Sequence, residues 1–208
     1  MDTWELIDGE RGAFADLADT LTPQQWDTTT LCDKWRTRDV IAHLTDGSTL
    51  SGGQLMLQLL KHGFRINAML EKEAIKGGNK PTDALRTGLR STVGRRSTPP
   101  GAKPEDVLLD FVVHQQDVRR PLGLSRQIPA EALRTSLDRL TQVKSSILPG
   151  KKRSEGLRLR ADDIGWEHGE GPSVTGTGEA LLMTLAGRGV AAGELSGPGL
   201  DTFRARLG

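Results

Sequence analysis

Asp110-Phe111-Val112-Val113-His114 sets an acid and an imidazole four residues apart inside an apolar run. On a helix this spacing puts both side chains on one face, with Cβ atoms about 5 to 6 Å apart, so the pair can bite a single metal ion. Val107, Phe111 and Val118 form the neighbouring stripe, which turns the pair toward a packed interior. An unpaired carboxylate there is penalised by desolvation, on the order of several kcal/mol, and a bound cation offsets that penalty. Asp is also a poor mid-helix residue, because its side chain competes for backbone hydrogen bonds. Its place between Leu109 and Phe111 therefore calls for an explanation.

A third donor comes from earlier in the chain. Thr37 reads as a helix N-cap with Asp39 in the positive first turn, and Val40, Ile41 and Leu44 give that helix a buried face. His43, beside Leu44, faces inward with them. Helical bundles build metal sites from facing helices in this manner. Two imidazoles and a carboxylate, His43, Asp110 and His114, suit zinc with a fourth position open, and nickel or ferrous iron can use the same set. The competing reading makes His43 a hydrogen-bonded core residue and Asp110/His114 an intrahelical ion pair. Asp46 and Asp117, each three residues beyond a histidine, are either solvated or orient an imidazole.

Outward from these segments the chain reads as mostly helical. Trp4, Ile7, Phe14, Leu17 and Ala18 recur at helical spacing over the first twenty residues. The pattern from Leu55 to Leu60 continues after a weak point at Gly52-Gly53, and Gly77-Gly78-Asn79-Lys80-Pro81 is a firm break. Further helices are expected over Thr82 to Val93, from Pro104 to before Pro121, and from Pro129 onward with Leu133, Leu137, Leu140 and Ile147 on one face. Pro149-Gly150-Lys151-Lys152-Arg153 reads as a solvated linker. Beyond it Leu157/Leu159 and Ile164/Trp166 alternate, Val174 follows a turn, Gly178 to Leu185 is helical, and Leu200, Phe203 and Leu207 suggest a last helical segment. The expected architecture is mainly α: a four-helix bundle over 1–150, then a small α+β domain over 154–208.

Composition excludes several classes. With 208 residues, 36% hydrophobic and 26% charged, the chain is globular, and no run approaches the ~20 apolar residues of a membrane span. A net charge of +1, four Trp, four Phe and no Tyr leave neither the electrostatic footprint nor the stacking platforms for nucleic acid. The acidic amphipathic N-terminus is unlike a secretory leader, and Cys32 alone forms no internal disulfide, so a reducing cytoplasm is expected. There is no G-x-G-x-x-G, Walker loop, nucleophile elbow or Cys-x-x-Cys. Cys32 has no histidine near it in sequence and reads as a buried spectator; His62 and His168 read as surface or strand residues.

Trp35-Arg36-Thr37-Arg38-Asp39-Val40-Ile41-Ala42-His43-Leu44 resembles the N-terminal signature of the mycothiol-dependent maleylpyruvate isomerase family, within the DinB-like superfamily. Asp110 to Gly123, in which an acid and a histidine four apart precede Leu-Gly, is similar to that family's second metal motif. The segment from Leu157 to Leu207, with Ala161-Asp162-Asp163, Gly169-Glu170-Gly171-Pro172 and Leu185-Ala186-Gly187-Arg188, is similar to its small C-terminal domain. The resemblance implies a DinB-like bundle, His43, Asp110 and His114 as metal ligands, and mycothiol as co-substrate in a thiol-dependent isomerase or transferase. It departs at Asp110, where isomerases of this group use Glu; a side chain one methylene shorter must be met by a helix shift or weaker binding.

Arg188 is a candidate for holding a substrate carboxylate, since a guanidinium does so bidentately; its alternative is a surface arginine favouring a helix C-terminus. The expected partners are a small thiol and a small electrophile, with the chain a monomer or homodimer. The competing functions are a non-catalytic metal-binding stress or regulatory scaffold and a structural dimer in which the three residues form a hydrogen-bond network.

Overall fold

A computed structural model describes residues 2–143 and 149–207. Its contacts divide the chain into two compact units, Met1–Ser125 and Arg126–Gly208. The first contains α1 (Thr3–Thr20), α2 (Pro23–Trp26), α3 (Thr37–Gly47), α4 (Gly52–Lys61), α5 (Ile66–Gly78), α6 (Thr82–Arg90) and α7 (Pro104–Arg119). Helix α1 packs on α6 and α7, and α3 packs on α5, α6 and α7. Ile7, Phe14, Ile41, Leu44, Leu89, Leu108 and Phe111 are fully buried between them. Helix α7 is enclosed on every side: from Val107 to Arg119 every residue is buried except Asp110.

The N-terminus of α3 is fixed one residue earlier than its sequence suggests. Arg36 is the cap, Thr37 is the first helical residue, and Asp39 accepts from the Arg36 backbone N–H at 2.8 Å and from its Nε at 3.0 Å. Asp39 thus satisfies an orphan donor at the helix start, as its placement in the first turn anticipated.

One break escapes the pattern, and another falls where the pattern puts it. The chain turns at Gly63 and Phe64, both at left-handed φ of about 60° (60° and 59°), and this separates α4 from α5. Phe64 carries no glycine-like mark of such a turn, so periodicity passes over it. Gly77 and Gly78, conversely, are helical and end α5. They are small because α3 crosses closely: a Cβ on Gly77 would stand 2.9 Å from the Ala42 Cβ, and one on Gly78 would fall onto Asp39 Oδ1.

The second unit contains α8 (Ala130–Gln142), α9 (Gly150–Ser154), β1 (Arg158–Ala161), β2 (Trp166–His168), β3 (Ser173–Gly176), α10 (Gly178–Leu185), a 3₁₀ turn (Gly189–Glu194) and α11 (Leu200–Arg204). The sheet order is β2-β1-β3, with β1 antiparallel to β2 (Ala161 opposite Trp166) and parallel to β3 (Leu159 beside Val174). Leu159, Ala161 and Val174 alternate inward under α10, which also packs on α8. Leu133, Leu137 and Leu140 are buried as their spacing indicates, while Ile147 lies outside the described residues.

Helix α8 clusters with this second unit, ahead of the boundary that the basic stretch suggested. Asp138 on α8 accepts from Trp166 Nε1 at 2.7 Å, and Arg134 donates to the Ile164 carbonyl. The supposed linker is itself helical in α9, where Arg153 is half-buried and donates to the Leu185 carbonyl at 2.8 Å. Among the described residues no helix is long and apolar enough to cross a membrane.

Gly78→Ala tests the α3–α5 crossing. The added methyl favours the helix by up to ~1 kcal/mol but must displace the Asp39 carboxylate from Arg36, and overpacking of this kind destabilises by about 1–3 kcal/mol. A lowered Tm is expected in thermal unfolding; an unchanged or higher one would show that the crossing is not tight.

Candidate metal centre

Packing of α3 against α7 brings His43 to Asp110 and His114. His43 Nε2 stands 3.5 Å from Asp110 Oδ2, and His114 Nε2 stands 3.4 Å from Asp110 Oδ1. Both exceed the usual N–H···O range of about 2.7–3.2 Å. Two donors held about 2.0–2.1 Å from one tetrahedral zinc stand about 3.4 Å apart, so the spacing suits an ion better than direct hydrogen bonds. Ligand atoms of His43, Asp110 and His114 all lie within 4.8 Å of one another. One carboxylate facing two imidazole nitrogens is a donor set that fits a single divalent cation.

The surroundings hold the rings in place. Asp117, fully buried one turn beyond His114, puts Oδ2 2.8 Å from His114 Nδ1, a contact that directs Nε2 toward Asp110. The indole of Trp35 lies 4.9 Å from the His43 ring and 5.6 Å from the His114 ring, centroid to centroid. The two imidazoles meet edge to face at 5.1 Å. Asp110 retains 41% side-chain exposure, so the site has an open side.

Charge dominates the site. Burial works against ionisation of Asp110, but His43 and His114 outweigh it and hold the carboxyl well below its usual range. Burial likewise opposes the His114 cation, yet the close carboxylates of Asp110 and Asp117 prevail and raise its pKa to about 9. Cation binding at Nε2 must therefore release a proton at neutral pH.

Of the other residues singled out in the sequence, Asp46 turns to Lys80 at 3.3 Å. His62 is nearly buried at the end of α4, its Nε2 3.2 Å from Glu73, and so is not a surface residue. His168 ends β2 and stacks on Trp166. Arg188, after α10, donates to the Ala186 carbonyl at 2.8 Å. Cys32 is half-buried, with Sγ within 4.8 Å of donor atoms of His114 and Asp117. Sequence distance hides this proximity: the loop over 28–36 folds onto α7, with the Leu31 N–H donating to the Asp117 carbonyl at 3.0 Å. That aperiodic loop supplies both Cys32 and Trp35. Only the tryptophan, inside the Trp35 to Leu44 motif, carried a signal.

A His-Asp-His set drawn from two facing helices defines a bundle of the kind that builds its site in the helical core. Residues 7–107 match the family model of the mycothiol maleylpyruvate isomerase N-terminal domain. A crystal structure of the mycothiol-dependent maleylpyruvate isomerase matches at 17% identity and TM-score 0.63, over 94% of this chain and 91% of that one. A histidine-to-alanine mutant of that isomerase matches at 16% identity with the same TM-score and coverage. These two structures show the shared fold; no curated protein matches the sequence. The family match lies within the N-terminal unit, which is thus similar to the mycothiol maleylpyruvate isomerase N-terminal domain.

The His114 shift gives a pH signature in metal-free protein. Because its folded pKa of about 9 lies above the ordinary 6.5, its contribution to stability is complete below 6.5 and lost as pH rises through 9. The Tm of chelator-treated protein should fall across that interval, and Asp117→Asn should flatten the slope. Parallel profiles for the two proteins would contradict the assignment.

Proposed function

We propose that this chain binds one divalent cation, zinc foremost with nickel or iron as substitutes, through His43, Asp110 and His114. With it, the chain uses a small thiol to isomerise or capture a small electrophile. The observation that carries the reading is the single carboxylate of Asp110 facing the Nε2 atoms of both histidines, with Asp117 bracing one ring from behind. The match of residues 7–107 to the mycothiol maleylpyruvate isomerase N-terminal domain supports mycothiol as the thiol. When bound, the cation supplies Lewis acidity that brings the pKa of a thiol donor toward neutrality.

The residues divide the remaining work. His43 and His114 provide neutral donors, and Asp110 provides the negative charge that favours a dication. Asp117 keeps Nδ1 of His114 protonated and its ring oriented, while Trp35 fills the space beside both imidazoles. The exposed edge of Asp110 marks the side from which a thiol enters. Isomerisation then requires addition of the thiolate to a cis double bond, rotation about the resulting single bond, and expulsion of the same thiol; a transferase keeps the adduct. The span of Asp110 to both imidazoles supports the view that the shorter acid serves where relatives use Glu. Arg188, on its chemistry alone, is the candidate for an electrophile's carboxylate. A thiol co-substrate also agrees with a reducing, cytoplasmic setting.

Metal content, measured by plasma mass spectrometry on tag-free protein prepared without chelator, tests the site. One ion per chain is expected, lost in His114→Ala, and bound roughly 10- to 100-fold more weakly in Asp117→Asn. No metal after reconstitution, or equal metal in His114→Ala, would refute the reading.

A further inference from the structure

A cavity of about 440 Å³ in the C-terminal unit is lined by Pro149, Lys152, Arg153, Glu155, Ala205 and Arg206. Three cations and one acid therefore surround it. The two guanidiniums are braced by main-chain carbonyls. Arg153 donates through Nη1 to Leu185 at 2.8 Å and through Nε to Arg206 at 3.4 Å. Arg206 donates through Nη1 to the carbonyls of Arg153 at 2.8 Å and Glu155 at 2.6 Å. Neither arginine, nor Lys152, pairs with a carboxylate among the described residues.

Helix-end carbonyls orient these groups but carry only partial charge, so the described lining keeps a positive excess. Gly187, at φ 95°, is the surface on which Arg153 lies: a Cβ there would stand 3.0 Å from both Nη atoms. Burial and the nearby charge of Arg188 depress the pKa of Arg153, the electrostatic sign of a guanidinium lacking an acidic partner. The volume falls in the range of small-molecule pockets, about 300–1,000 Å³.

We infer that this cavity is a binding site for a small, multiply charged oxyanion, held by Arg153 and Arg206 with Lys152 at its rim. Positioned guanidiniums with donors to spare suit phosphate or carboxylate oxygens. The exposed Lys152 adds a point charge that steers the anion and is screened by salt. The site depends on no residue of the metal centre.

Calorimetric titration of the full-length protein with inorganic pyrophosphate and, separately, with citrate tests this. Saturable binding of one anion per chain is expected for at least one probe, and the better probe distinguishes phosphate from carboxylate recognition. Binding should survive in His114→Ala, which removes the metal centre as a competing anion site. It should weaken about tenfold or more in Lys152→Glu, a surface change that leaves the helix-end contacts of both arginines in place. Absence of saturable binding at millimolar probe would overturn the proposal. So would binding lost in His114→Ala yet unchanged in Lys152→Glu, which would place the anion on the metal.

Discussion

The carboxylate of Asp110, held between His43 and His114, is the interaction on which the first unit turns. It is the least buried residue of a helix otherwise enclosed from Val107 to Arg119, and it joins that helix to α3 by charge where the surrounding contacts are apolar. Without a cation the acid and the two imidazoles must balance one another, which is why Asp110 is held ionised and His114 is held protonated. With a cation, the same groups become donors and the imidazolium proton must leave. One constellation thus links the packing of two helices, the protonation of the site and its chemistry.

Keeping that constellation in register requires precise positions for both helices. Helix α3 is pinned at its start by the Arg36–Asp39 cap and along its side by the glycine-lined crossing with α5. Helix α7 is fixed by buried polar contacts on the side facing α1: Gln115 donates to Glu10 through both a carbonyl and a carboxylate contact, and Arg119 donates to Gln115. Arg11 lies over the Phe111 ring at 5.3 Å. Buried polar groups of this sort specify one alignment because any slip leaves donors unsatisfied.

The His43, Asp110 and His114 cluster was legible in the sequence because it obeys helical spacing: Asp110 and His114 share a face, and His43 shares one with Val40 and Leu44. Most of the longer helices follow from the same spacing, and the three strands from a period of two. What escaped it was set by backbone conformation or by long-range folding. The turn at Gly63 and Phe64 uses left-handed backbone that side-chain periodicity does not encode. Gly77 and Gly78 do precede the expected break, but their close packing against α3 carried no sequence signal. Cys32 reaches His114 through a loop without period, and Arg153, read as a linker charge, serves as a helix-end brace because its partner carbonyl lies 32 residues on.

The account stands on a mixed nitrogen and oxygen ligand set that admits a thiol. X-ray absorption at the zinc edge of the loaded protein, before and after adding the thiol, tests it most directly. The expected spectrum shows two imidazoles with oxygen ligands at about 2.0–2.1 Å, and then one sulfur at about 2.3 Å once thiol is added. Sulfur already present before addition would put Cys32 in the ligand set, and a spectrum that thiol leaves unchanged would contradict the account.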